Sequence, residues 1–115
     1  MMISKTAILF AAIAIAALPA RAGQTPASTT PPTQFLKLPG GQIAYDDTGG
    51  AGPIVICVPG LGDVRAQYRF LAPKLAAAGF RVVTMDLPGQ GESSVDWPAY
   101  SPAVVGADIV AMVRH

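Results

Sequence analysis

The sequence predicts an α/β fold built around a parallel strand pair, and three observations carry that expectation. Ile54-Val-Ile-Cys-Val58 is an unbroken apolar run that ends in Pro59-Gly-Leu-Gly62. A run with no polar face suits a strand buried on both sides, as in a parallel sheet. A stripe at helical spacing follows, and then a second strand pattern, Arg81-Val-Val-Thr-Met-Asp86, which runs into Leu87-Pro-Gly-Gln-Gly-Glu-Ser93. Strand, helix and strand with a glycine-rich loop after each strand make a βαβ unit, and in open α/β sheets ligands sit at that carboxyl edge.

Taken in order, the chain opens with a leader. Lys5 precedes an apolar stretch from Ala7 to Leu18, and Ala20-Arg21-Ala22 has the small-x-small form of a signal-peptidase site. Residues 1–22 are therefore expected to be a secretory signal peptide, too short in its apolar part to span a bilayer as a helix. Cleavage removes Lys5 and Arg21 and takes the formal net charge from +1 to −1. Residues 23–34 hold three prolines and no apolar periodicity, which suits an extended Pro/Thr-rich linker. The partial domain is expected over residues 35–115.

Phe35–Leu38 and Gln42–Asp46, separated by Pro39-Gly40-Gly41, form a β-hairpin pattern, with Ile43 and Tyr45 on the face opposite Gln42 and Asp46. The central strand pattern covers Ile54–Val58. Val64, Tyr68, Leu71, Leu75 and Ala78 then make one helical stripe, with Gly79 as its stop. Pro73 interrupts that helix, so a kink or a second helix starting near Pro73 is expected. Ser101-Pro102 supplies an N-cap and a first-turn proline for a final helix. Its apolar face is expected from Val105, Ile109, Met112 and Val113, with Asp108 and Arg114 turned away.

Composition excludes several roles. Charges are sparse and form no basic stripe, which argues against nucleic acid and against a stable membrane partner once the leader is removed. Cys57, the only cysteine, lies within the apolar strand and behaves as a small hydrophobe. His115 is the only histidine and the last residue, so metal binding is unsupported; no cofactor is expected.

Residues Phe35–His115 resemble the amino-terminal part of an α/β-hydrolase. The resemblance rests on an ordered set: Gly41 and Tyr45 before the strand, Val58-Pro-Gly-Leu-Gly62 after it, the Tyr68–Val82 segment, and Asp86-Leu-Pro-Gly-Gln-Gly-Glu-Ser93, which is similar to the family's Asp-x-x-Gly-x-Gly-x-Ser loop. It implies a hairpin followed by β-α-β-α, stopping before the strand that carries the nucleophile elbow. It also implies that the backbone N–H of Leu61 is one oxyanion-hole donor, because the loop after this strand supplies such an amide.

Two departures from the family accompany it. Pro59-Gly60 stands where His-Gly is usual, and no Gly-x-Ser-x-Gly occurs in the chain. Ser93 and Ser94 match the structural loop and have no histidine base nearby, so neither is expected to be a nucleophile. The resemblance implies an exported (periplasmic or secreted) hydrolase acting on a small-molecule substrate, a carboxylic ester or related acyl bond, by a Ser-His-Asp mechanism. Epoxides and haloalkanes stay open as substrates. This chain is expected to be a fragment without the triad and inactive alone.

Two other readings compete. A non-catalytic interaction fragment would also lack a triad. Strand, Gly60-Leu-Gly62, helix, strand and Asp86, 24 positions after Gly62, imitate a dinucleotide-binding unit, although Arg65 stands in place of the third glycine.

Overall fold

The computed structural model describes residues 30–115. The expected leader and most of the linker lie outside the described residues. Four strands form one sheet: β1 (Gln34–Leu38), β2 (Gly41–Asp47), β3 (Ile54–Cys57) and β4 (Arg81–Met85), in the order β1-β2-β4-β3. A 3₁₀ turn over Arg65–Tyr68 and helix α1 (Leu71–Ala77) connect β3 to β4, and helix α2 (Pro102–Arg114) follows β4.

The expected parallel unit is present: β3 and β4 pair in parallel, with Ile54 opposite Arg81 and Cys57 opposite Thr84. The hairpin is present too. Leu38 pairs with Gly41, so Pro39-Gly40 forms a two-residue connection, and β2 lies antiparallel against the other side of β4. Among the described residues β3 is paired on one side only.

The register assigns side chains to two faces. Ile43, Tyr45, Val83 and Met85 share one face, where Trp97 and Met112 complete a buried cluster and Ile56, Val58 and Ile109 pack against it. Ile43 and Met85 are fully buried, and burying each such side chain contributes about 1.5–3 kcal/mol. The opposite face carries Ala44, Val82, Thr84 and Asp86, all buried. Here the hairpin departs from its expected one-sided pattern. Ala44 is as buried as Ile43 because β2 lies inside the sheet, where both faces are covered.

The helical stripe splits as Pro73 demanded. A 3₁₀ turn precedes α1, whose first turn contains Pro73. Proline is tolerated there because first-turn N–H groups have no intrahelical acceptor. The end of α1 is a Schellman arrangement: Gly79 has φ +97°, its N–H donates to Ala76 O at 3.0 Å, and the Phe80 N–H donates to Leu75 O at 3.1 Å.

Helix α2 starts as expected, with the Ser101 hydroxyl accepting from the Val104 N–H at 3.3 Å and Pro102 in the first position. Its inner face needs correcting. Asp108 is buried and Val113 is exposed. At 3.6 residues per turn, 105, 108, 109 and 112 form a single stripe, so the aspartate falls inside it.

Candidate active site at the carboxyl edge of the parallel strands

Because β3 and β4 are parallel neighbours, the loops that leave them emerge at the same edge of the sheet. Pro59 is buried and ends the first strand; Gly60, Leu61 and Gly62 stand out into solvent, with Leu61 95% exposed. The Asp63 N–H donates to Gly60 O at 3.0 Å, closing a four-residue turn. Gly62 occupies its third position with φ +84°, the left-handed geometry a type II turn requires there and one that disfavours a side chain.

The loop's N–H groups have different fates. Asp63 donates within the turn, and Gly62 donates to Gln90 Oε1 at 2.6 Å. The Leu61 N–H has no acceptor among the described residues. A turn held from both sides with one amide unused is the arrangement by which a strand end can meet a developing negative charge without reorganising.

Behind this turn lies an ion cluster that sequence reasoning missed. Arg65 is buried at the start of the 3₁₀ turn. Its Nε donates to Asp46 Oδ2 at 3.0 Å and its Nη2 donates to Thr33 Oγ1 and Glu92 Oε1, both at 2.8 Å. Its Nη1 pairs with Asp86 Oδ2, and its backbone N–H donates to Asp86 Oδ1 at 2.7 Å. Burial opposes the arginine's charge, but the hydrogen bonds to Glu92 and Asp46 outweigh it and hold the guanidinium pKa above its ordinary value. Asp86 is wholly buried and also accepts the Glu92 N–H at 3.0 Å. Gly91, at φ +53°, lets the chain close over that carboxylate; a Cβ there would collide with it.

This cluster removes the dinucleotide reading. The acid that would hold a ribose hydroxyl is sealed inside the protein and paired with the arginine that stands in the third glycine's place. The only advance signal was an arginine one turn after a glycine loop, with acids at two strand ends.

Ser93 and Ser94 are placed as the sequence led one to expect. The Ser93 hydroxyl, buried, accepts the Ala44 N–H at 3.0 Å and donates to Asp86 O at 2.8 Å, bridging the point where β2 and β4 part. The Ser94 Oγ accepts the Gln42 N–H at 2.9 Å. His115 Nε2 lies 3.0 Å from the Tyr45 hydroxyl. Among the described residues no three or more His, Cys, Asp or Glu side chains are grouped as a metal site would require, and no described helix is long and apolar enough to cross a membrane. A cavity of about 480 Å³ opens on the α1 face, against Thr48, Tyr68, Ala72 and Arg65. It does not reach the Gly60–Gly62 turn, so the two features are separate.

A mixed sheet with parallel β3 and β4, helices on its two faces and a glycine turn at the strand ends is the amino-terminal part of an α/β-hydrolase sheet. The family model described as alpha/beta hydrolase fold matches residues 53–115, and the chain belongs to that family. It is 34% identical over 103 residues to the bifunctional epoxide hydrolase 2 of Sus scrofa, covering 79% of this chain and 18% of that protein. It is 38% identical over 60 residues to the zearalenone hydrolase of Bionectria ochroleuca, covering 51% of this chain and 22% of the relative. Among solved structures it resembles the thioesterase domain from the curacin biosynthetic pathway, with TM-score 0.64 and 32% identity over 72% of this chain and 32% of that one. The chain thus spans about a fifth of the length of the curated relatives it matches.

Proposed function

We propose that residues 35–115 are the amino-terminal portion of an exported hydrolase, periplasmic or secreted, that cleaves a carboxylic ester or related acyl bond of a small molecule through a covalent intermediate. The Leu61 N–H supplies one oxyanion-hole donor, and the nucleophile, acid and histidine belong to residues outside this chain. The observation that carries this reading is the unused Leu61 amide, held at the carboxyl edge of β3 by hydrogen bonds on either side of it. The names of the relatives, two hydrolases and a thioesterase, support hydrolysis as the reaction class. Among the described residues no serine has a histidine base, so we assign the activity to the longer protein.

Opening of an epoxide is the second reading, favoured by the similarity to the epoxide hydrolase of Sus scrofa over 79% of this chain. Turnover of p-nitrophenyl butyrate against styrene oxide by the full-length protein separates the two. The donor role is tested by comparing Leu61→Pro with Leu61→Ala. Proline deletes the N–H, and losing one such donor costs about 10²–10³ in turnover. With melting temperatures matched, Leu61→Pro should fall that far below Leu61→Ala; equal turnover would remove the role.

A further inference from the structure

The Gly60–Gly62 turn is poorly supported by packing. A Cβ placed on Gly60 or on Gly62 would touch nothing, and the Leu61 side chain is almost entirely in solvent. Whatever orients this turn must therefore act through hydrogen bonds. Among the described residues two do so: the Asp63 N–H to Gly60 O, which closes the turn on itself, and the Gly62 N–H to Gln90 Oε1. Only the second joins residues 60–62 directly to another strand's loop.

We propose that Gln90 is a positioning residue, whose side-chain oxygen clamps the Gly62 N–H and so fixes the direction of the neighbouring Leu61 amide. The proposal rests on the donor role of Leu61 proposed above.

Gln90 is itself well anchored. Its N–H donates to Leu87 O at 3.0 Å, and its carbonyl accepts the Ser93 N–H at 3.1 Å. Ser93 is pinned in turn between Ala44 and Asp86. The glutamine thus stands in the hydrogen-bonded loop that follows β4 and reaches across 28 positions of sequence to the loop after β3. The partner also settles which way its amide faces, since a backbone N–H requires the oxygen and not the NH₂. A rigid element that holds a mobile donor within a few tenths of an ångström is what preorganisation requires. The bond lies in an open loop where water competes for the same N–H, so its loss should cost about tenfold, the worth of one net hydrogen bond, rather than the whole donor.

The test uses the full-length hydrolase carrying Gln90→Leu, which removes the acceptor at similar size, and Gln90→Glu, which keeps an acceptor oxygen. Gln90→Met repeats the first should leucine impair folding. The Gly62 amide is followed by ¹⁵N NMR and hydrogen exchange. Turnover is followed on whichever of p-nitrophenyl butyrate and styrene oxide the enzyme accepts. Gln90→Leu should move the Gly62 amide proton upfield, speed its exchange, and lower kcat about tenfold with KM within about twofold. Gln90→Glu should keep the Gly62 signal near its original position. An unmoved Gly62 amide in Gln90→Leu overturns the proposal. So does an unchanged kcat in Gln90→Leu where Leu61→Pro abolishes turnover, and that result leaves the role of Leu61 standing. If neither variant changes kcat, the oxyanion role of Leu61 fails and the clamp fails with it.

Discussion

Arg65 and Asp86 are joined twice. The arginine's backbone N–H donates to one carboxylate oxygen at 2.7 Å, and its guanidinium pairs with the other. The contact pins the 3₁₀ turn that follows the candidate oxyanion loop to the end of β4. The two loops at the carboxyl edge are therefore held as one unit, by this pair behind and by Gln90 in front.

The first prediction follows from that pair. Arg65→Met leaves Asp86, fully buried, without its cation, and uncovers Asp46 as well. Breaking a buried ion pair by removing one partner costs about 3–5 kcal/mol. Arg65→Lys should recover only part of this, because an ammonium cannot reach Asp46, Glu92 and Asp86 with one planar fork. Denaturant melts of the full-length protein check both. A lysine variant as stable as wild type would show that charge alone matters.

Ser93 and Ser94 should separate by stability and not by chemistry. Ser93→Ala strands the Ala44 N–H and weakens the tie to Asp86 O, both buried, at a cost of about 1–3 kcal/mol. Ser94→Ala loses a half-exposed contact to Gln42, while its own N–H still donates to Gln42 O at 3.0 Å. Its cost should stay below about 1 kcal/mol. Neither change should lower kcat more than a few-fold in the full-length protein, since the hydrogen bonds either loses lie off the chemistry. A collapse of turnover in Ser93→Ala at matched folding would place a catalytic group where only a structural one has been identified.

Asp108 gives a pH dependence. Burial pushes its carboxyl pKa up, and its buried Oδ2 has no donor among the described residues. A raised folded-state pKa means that the folded protein prefers the protonated acid. The cost of ionisation is absent at pH below the ordinary carboxylate value and grows as pH rises through the raised one. Asp108→Asn should therefore stabilise the protein near neutrality, and the gain should vanish in acid. Thermal melts of both proteins across roughly pH 4–8 test this. A gain that is the same at every pH would show that ionisation is not its origin.

Processing offers the fourth prediction. If Ala20-Arg21-Ala22 is a cleavage site, the exported protein begins at Gly23. Intact-mass measurement on exported material decides it, and retention of Met1 would remove the proposal of a cleaved leader.

Local pattern was enough for the elements and their class. The apolar run at Ile54–Val58 and the alternation around Ile43 and Tyr45 follow from backbone periodicity. The same holds for the N-cap at Ser101 and the stop at Gly79, because each depends on residues within a few positions of one another. The ordered glycine loops likewise marked the family and pointed to Leu61. Tertiary structure alone decided what the loops do to each other. That Arg65 is buried, that Asp86 is its partner, that Ser93 bridges β2 and β4, and that Gln90 reaches Gly62 all depend on strands distant in sequence ending side by side. Asp108 marks the boundary between the two: its place on the inner stripe could be counted from the helix period, but the absence of a donor there depends on what the sheet presents. Hydrogen bonds and ion pairs between loops are set by the meeting of backbones, and no spacing along one chain encodes that meeting.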